Sequence, residues 1–403
     1  MQPWEINMIS AAKPSDIDNG PIRLGMVGGG QGAFIGAVHR IAARLDGHFQ
    51  LVAGALSSDP ERARASGAEL GLASDRCYDS FQQMAIAEAA RSDGIEAVSI
   101  VTPNHMHYPA AKAFLEAGIH VICDKPLTST LADATDLATL VEKSGKLFIL
   151  THNYTGYPMV RQAREMVAQG MLGTIRLVHA EYPQDWLTEA EEASGNKQAE
   201  WRTDPAQSGA GGCVGDIGTH AWNLASFVSG LETKSLAADL DSFVEGRRLD
   251  DNVHVMLRFK AQGQERPAKG MLWASQVAPG NENCLKLRVY GSKGGLEWEQ
   301  EHPNQLWYTP FGQAKQKLTR GGAGATPAAS RVTRIPAGHP EGYLEGFANI
   351  YGEAAAAIRA RRGNNSPLPD DIIFPTVQDG VKGMRFIGAC VQSSSDNAAW
   401  VKL

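Results

Sequence analysis

The chain lacks the features that mark several common classes of protein. Its five cysteines, Cys77, Cys123, Cys213, Cys284 and Cys390, are odd in number, widely scattered and without a Cys-x-x-Cys pair. That pattern argues against a disulfide framework or a zinc knuckle and fits a reducing cytoplasm. Nor is there a polybasic run: 38 Lys and Arg against 44 Asp and Glu leave a net charge of −6, so neither nucleic acid nor a membrane surface is an expected partner. No apolar stretch reaches the ~18 residues needed to span a bilayer. The first twenty residues carry Glu5, Asp16 and Asp18 and lack the basic start, apolar centre and cleavage site of a signal peptide. Residues 1–20 are therefore expected to form a loose arm, or a strap onto a neighbouring subunit. What remains is a chain of 403 residues, too long for one ordinary core, with two domains and a small-molecule ligand as the expectation.

From Ile22 to about Leu150, apolar strand-like runs alternate with helical stretches, the βαβ pattern of a parallel sheet. The strands expected are Ile22–Val27, Gln50–Leu56, Ala97–Val101, His120–Cys123 and Leu147–Thr151. After His152 the pattern changes to one helix, Met159–Gln169, followed by seven strand-like runs between Ile175 and Tyr308 and a long helix, Glu341–Arg361, read as closing their sheet. The fold class is α/β: a Rossmann dinucleotide-binding domain over residues 21–151, then an α+β domain over 152–403 for substrate binding and oligomerisation, with an open, largely antiparallel sheet. Residues 188–212 and 312–339 show no periodicity and read as long loops, the first as a candidate active-site lid.

Chemistry enters with the glycine string Gly28-Gly29-Gly30-Gln31-Gly32-Ala33-Phe34-Ile35-Gly36 between the first strand and first helix. A dinucleotide pyrophosphate needs backbone N–H groups at a helix N-terminus and glycines that let the chain approach it closely. Gly28, Gly30 and Ala33 satisfy G-x-G-x-x-G/A. A second register enlarges the turn by three residues and makes Gly36 the helix-packing glycine. Both registers use Gly28 and Gly30, and Gln31, Phe34 and Ile35 fall within the site in either. The acid that usually ends the second strand to hold the ribose of NAD is replaced by Ser57-Ser58, followed by Asp59-Pro60, a helix cap as readily as a ribose ligand. No arginine stands at Ser57 or Ser58 to hold a 2′-phosphate, so NAD is expected, with NADP open.

The ordered set of Val101-Thr102-Pro103-Asn104 with His107, Asp124-Lys125-Pro126, His152-Asn153-Tyr154, Trp201-Arg202 and Gly212-x-x-x-Asp216-Ile217-Gly218-x-His220 resembles the Gfo/Idh/MocA family, named for glucose-fructose oxidoreductase and inositol dehydrogenase. The family usually has Glu-Lys-Pro, so Asp124 is one methylene shorter. The resemblance implies that Lys125, Asp216 and His220 are the catalytic triad. It also implies that Thr102, Pro103, Asn104, His107, Asp124, Lys125, Asn153, Trp201 and Arg202 join the cofactor site. The chemistry agrees: taking a hydride from a secondary alcohol requires a base for the hydroxyl proton. A lysine serves once burial and the charge of the oxidised ring favour its neutral form. Asp216 and His220, four apart at the start of a helix, are read as sharing one face, the carboxylate to orient the hydroxyl and the imidazole to pass on the proton.

Substrate contacts are assigned to Lys125, Tyr154, Trp186, Asp216, Thr219, His220 and His339, the last within a motif that recurs in relatives. Aromatic faces suit the C–H faces of sugar or cyclitol rings, and no phosphate-binding cluster is apparent, so a neutral polyol or sugar is expected. No metal is expected, because His105 and His107 have no evident third ligand. An NAD-dependent glycosidase that recycles its cofactor and a non-catalytic nucleotide sensor are the alternatives; the intact triad argues against the sensor. The uncovered sheet face predicts a homodimer or homotetramer.

Overall fold

The computed structural model describes residues 20–261, 263, 265–362 and 368–403, so the expected N-terminal arm lies outside them but for Gly20. The chain forms two compact units. The first takes the described part of Pro14–Asn153 together with Leu344–Met384. Its strands β1 (Ile22–Gly28), β2 (Phe49–Ala55), β3 (Ala97–Val101), β4 (His120–Cys123) and β5 (Phe148–Leu150) form a parallel sheet in the order β2-β1-β3-β4-β5. Every residue of β3 is buried, as expected of a strand covered on both faces. Five helices connect the strands: α1 (Phe34–Leu45), α2 (Pro60–Glu69), α3 (Phe81–Ala90), α4 (His107–Glu116) and α5 (Leu131–Ser144).

Local chemistry sets the helix ends. Asp59 caps α2 by accepting the Arg62 N–H at 2.7 Å, with Pro60 at the first helical position. Thr130 caps α5, which ends at Gly145 in the left-handed region, φ 64°, where a side chain would be strained. Sequence reading missed α3, whose segment Phe81-Gln82-Gln83-Met84-Ala85-Ile86-Ala87-Glu88-Ala89-Ala90 has no clear apolar stripe. Its Glu88 is buried with Arg76, whose Nε lies 3.0 Å away, and also accepts from the Tyr78 hydroxyl and the Ile95 N–H. With a second donor from the Arg76 guanidinium, Nη2, four donors meet the need of a buried carboxylate.

The second unit takes Tyr154–Tyr343 and Arg385–Leu403. Helix α6 (Pro158–Ala168) leads into β6 (Ile175–Pro183); the short helices α7 (Lys197–Arg202) and α8 (Pro205–Ser208) precede α9 (Thr219–Ser229). The remaining strands are β7 (Thr233–Asp241), β8 (Asn252–Phe259), β9 (Lys269–Ser275), β10 (Lys286–Gly291), β11 (Gly294–Glu299), β12 (Gln305–Pro310), β13 (Gln316–Thr319) and β14 (Val401–Lys402). They form a nine-stranded sheet in the order β13-β12-β11-β10-β6-β9-β8-β7-β14, antiparallel except between β6 and β9. Alternation along β8 buries Val253, Val255, Leu257 and Phe259 and exposes His254, Met256 and Arg258. The stretches read as loops contain α7 and α8 in one, and β13 and α10 (Pro327–Arg331) in the other.

One expectation is corrected. The long helix, observed as α11 (Tyr343–Arg362), belongs from Leu344 onward to the parallel-sheet unit rather than closing the antiparallel sheet. Its Tyr351 hydroxyl meets His39 and Ser99, and Arg362 pairs with Glu96. Downstream, the Pro375 carbonyl accepts the Leu150 N–H at 2.8 Å and Thr376 bridges Ile149, extending the sheet edge. The helix α12 (Val377–Ser395), absent from the sequence reading, then delivers Ser393 and Ser394 to the β7 amides of Ala238 and Leu240.

A titratable residue opens β4. His120 Nδ1 accepts the Leu147 N–H at 3.0 Å, and burial, then the charges of Lys146 and Arg361, push its pKa down to about 4. A folded value below the ordinary ~6.5 places stability above that pH and removes it as pH falls toward the folded value. His120→Asn, whose side-chain oxygen can accept the same N–H without titrating, should flatten the decline. In urea melts at two pH values, 7 and 5, the wild type is expected to lose on the order of 1 kcal/mol more than the variant. Equal losses would acquit His120.

Candidate active site

Within the first unit the glycine turn lies where the strand order reverses, between β1 and its neighbours β2 and β3, the place where such sheets bind nucleotides. Gly28 has φ 78°, and a Cβ there would stand 2.9 Å from the Val101 carbonyl. The two registers are separated by Gly36: a Cβ on it would approach Gly29 Cα to 2.3 Å, so Gly36 supplies the close helix packing. Ala33 is the N-cap of α1, with φ −96°. The enlarged turn is the one the chain forms. Arg40 supports it from beneath, donating to the Gly29 carbonyl at 2.6 Å.

Gly30 N–H donates to the Leu56 carbonyl at 3.1 Å, which brings Ser57 and Ser58 beside the turn. Ser57 Oγ accepts the Asp59 N–H, and the Asp59 carboxylate is engaged as the α2 cap. Gln31 is exposed; its N–H goes to Ser66 Oγ and its amide to Glu69. Phe34 is exposed and Ile35 half-buried at the start of α1.

The next strand ends carry the other expected residues. His107 does not face a ligand site with its nitrogens: Nδ1 lies 2.8 Å from the Pro126 carbonyl and Nε2 2.9 Å from that of Thr102. It therefore braces the segment that carries Lys125, whose bond to Pro126 is cis. Burial holds the His107 pKa below its ordinary value against the pull of Asp124 and of those two carbonyls. His152, expected with this motif, is pushed down to about 3 by burial and then by the Lys125 charge. Thr102 Oγ1, His105 Nδ1 and Asn153 Nδ2 are buried and have no hydrogen-bond partner among the described residues. Buried polar atoms left in this state require a partner, and their position at the C-terminal strand ends fits the polar edges of a dinucleotide. Asn104 is buried and Pro103 half-buried in the same turn.

The second unit assembles the expected substrate residues into a linked polar wall. Asp216 lies in a π-helical turn, Val214–Gly218, ahead of α9. Asp216 Oδ2 accepts from Gln276 Nε2 at 3.0 Å and pairs with Arg202 Nε at 3.3 Å. The Arg202 guanidinium stacks over Trp201 at 4.2 Å and reaches Trp186 at 5.9 Å. Trp186 donates to Gln184, Gln184 to Asn283, and Asn283 also accepts the Tyr182 hydroxyl at 2.7 Å. Tyr182 and Tyr154 share a hydrogen bond, and the Tyr154 ring meets the His220 ring edge-on at 4.9 Å. Burial raises the pKa of both tyrosines, so each keeps its proton to donate.

Trp201 and Arg202, expected on the cofactor, thus stand with Asp216 and Trp186. Thr219 is buried at the head of α9. His339 is in an exposed loop and contributes its backbone carbonyl to Arg320. Gln184, Tyr182, Gln276 and Asn283 were not singled out from the sequence. Their one common signal is position: Tyr182, Gln184 and Gln276 end or follow a strand, and Asn283 stands just ahead of β10.

Two adjacent acids hold this wall. Asp250 accepts the Gly212 N–H at 2.6 Å and the Val214 N–H at 2.7 Å, and its carbonyl accepts the Cys213 N–H at 2.7 Å. A Cβ at Gly212 would stand 2.3 Å from that carbonyl, which explains the glycine. Burial, the largest influence, lifts the Asp250 pKa to about 6 despite these donors. Asp251 grips the other side, accepting from the Phe243 and Val244 amides and from Arg247 at 3.0 Å.

Comparison with known proteins accords with this geometry. Residues 22–165 match an oxidoreductase family with an NAD-binding Rossmann fold, and residues 160–297 match the GFO/IDH/MocA C-terminal domain. The chain is 38% identical over 385 residues to the uncharacterised oxidoreductase YfiI of Bacillus subtilis, covering 95% of this chain and 97% of that one. The crystal structure of an oxidoreductase from Sinorhizobium meliloti is 64% identical, with a TM-score of 0.86 over 95% of this chain and 99% of the other. An inositol dehydrogenase homologue from Azotobacter vinelandii, solved with NADH and myo-inositol, is 39% identical, with a TM-score of 0.89 over 95% and 98% of the two chains. The chain belongs to the Gfo/Idh/MocA family of oxidoreductases, and its first unit is an NAD-binding Rossmann domain.

Proposed function

We propose that the protein is a cytoplasmic NAD(P)-dependent dehydrogenase that oxidises a ring hydroxyl of a neutral cyclitol, sugar or anhydrosugar. The observation that carries this reading is the wall of the second unit. There a carboxylate, Asp216, and an imidazole, His220, are carried on one segment among hydroxyls, amides and aromatic faces. Uncharged donors and acceptors at that density suit a ring bearing several hydroxyls, and aromatic faces suit its C–H faces. The relative solved with NADH and myo-inositol favours a cyclitol.

When bound, the nicotinamide supplies the hydride acceptor. The chain's own residues manage the proton and the geometry. Lys125 takes the hydroxyl proton as the carbon loses its hydride, His220 passes that proton on, and Asp216 fixes the hydroxyl. Tyr154, Trp186 and Thr219 line the substrate, and Arg202 with Gln276 keeps the Asp216 carboxylate aimed. A cofactor-recycling glycosidase would use the same residues but release a free sugar without net reduction of NAD, which product analysis distinguishes.

Lys125→Met keeps most of the side-chain volume and removes the proton acceptor, so turnover should fall by ~10²–10⁴-fold, the range general-base catalysis supplies. Cofactor affinity, measured by quenching of protein fluorescence, should change little. His220→Ala should cost less if the histidine relays and as much or more if it is itself the base. Near-wild-type oxidation of the best substrate by Lys125→Met would sink the base assignment.

Cofactor choice rests on Ser57 and Ser58 beside the turn. Ser57→Asp should repel a 2′-phosphate and move preference toward NAD, while Ser58→Arg should move it toward NADP. Parallel kcat/KM values for the two cofactors read this directly, and unchanged ratios in both variants would show that the ribose lies elsewhere.

The uncovered sheet face, with Leu177, Met256 and Met271 each more than a third exposed, is assigned to subunit contact through β8, β9 and β10. Light scattering at micromolar concentration should return a dimer or tetramer; a monomer would refute it.

A further inference from the structure

We propose that His39 is a positioning residue for the lysine base: it captures the shortened Asp124 carboxylate and so fixes the segment that carries Lys125. This rests on Lys125 being the base. His39 is fully buried in α1, one turn beyond the glycine string. Its Nε2 lies 3.1 Å from Asp124 Oδ1, and Thr151 Oγ1 donates to the same oxygen at 2.7 Å. A carboxylate only accepts, so Nε2 carries the hydrogen in this bond. The Tyr351 hydroxyl stands 2.8 Å from Nδ1, with Ser99 Oγ 3.0 Å from that hydroxyl and 3.2 Å from Nδ1. Ser99, Tyr351, His39 and Asp124 thus form one continuous hydrogen-bonded chain that ends on the carboxylate.

The chain matters because its last link satisfies a buried carboxylate. A flipped ring would set a C–H, and a ring without hydrogen on Nε2 a bare nitrogen, against the carboxylate, a cost a buried site does not tolerate. Phe347 closes the pocket, its ring 4.9 Å from the imidazole. A glutamate at position 124 would push one more methylene into the ring, so the short acid and the long imidazole are matched in length. Asp124 is also pinned through its own N–H to the Ile100 carbonyl at 3.0 Å. Burial acts against its charge, and His39 and Thr151 together outweigh it and hold its pKa below the ordinary value. One side chain thus ties the helix of the nucleotide turn to the residue preceding Lys125, and the lysine's approach follows the seating of that helix.

The test uses the full-length enzyme and its best polyol substrate. His39→Leu removes both nitrogens; His39→Gln keeps a donor at the Nε2 position; Thr151→Val removes the second donor to Asp124. His39→Leu should lower kcat by about 10- to 100-fold, the scale on which a ~1 Å misplacement acts, while NAD affinity changes less than about twofold. His39→Gln should recover most of kcat. The pH at which turnover rises should move by about half a unit or more in His39→Leu, and in the same direction but less in Thr151→Val, because the carboxylate beside the base has lost a donor. A merely structural residue would lower the plateau and the melting temperature together and leave the midpoint in place. If His39→Leu fails to fold, the Thr151→Val midpoint decides, and an unmoved midpoint overturns the proposal. Lys125→Met run alongside separates the two ideas. Full activity there removes the base assignment, whereas an inactive Lys125→Met with unaltered His39→Leu and Thr151→Val profiles removes only the role of His39.

Discussion

The backbone contact between Gly29 and Gly36 is the constraint on which the nucleotide-binding unit depends. With a Cβ on Gly36 placed 2.3 Å from Gly29 Cα, only two facing glycines let α1 approach the end of β1 this closely. That approach sets where the helix N-terminus points, and hence where a pyrophosphate could be held by backbone N–H groups. It also sets the depth of His39, which could not reach Asp124 at 3.1 Å from a helix held further out. Arg40 uses the same closeness to donate to the turn.

The second unit solves a different problem, the exposure of polar groups along the ends of strands. Tyr182, Gln184 and Asn283 satisfy one another beside His220, and Gln276 satisfies Asp216. Such a network is costly if half-made and rigid when complete. Rigidity is what a dehydrogenase needs where a hydroxyl must be held at one orientation.

Much of this was legible in the sequence because it is written in local patterns. The five parallel strands carry uninterrupted apolar runs between turn residues, and the family's motifs are short and contiguous. What was not legible depends on contacts between distant segments. The choice between Ala33 and Gly36 turns on what faces each, which a string of glycines does not reveal. The helix Tyr343–Arg362 has one amphipathic pattern whichever sheet it covers; only the Tyr351 and Arg362 contacts place it. His107 was expected at the cofactor because its motif is, yet both of its nitrogens face backbone carbonyls. The π-turn at Asp216 has no sequence signature beyond Gly215 and Gly218.

Asp250 and Asp251 carry a consequence for how the protein can diversify. Adjacent carboxylates grip opposite partners: one holds the segment leading to Asp216, the other holds the loop from Phe243 to Arg247. Residues inside that loop can be exchanged, lengthened or shortened, since Asp251 gathers its amides whatever lies between them. The dipeptide itself admits neither insertion nor deletion, because a shift of one residue would offer each carboxylate to the other's donors. Variation in this loop is thus insulated from the segment leading to Asp216 by a single peptide bond.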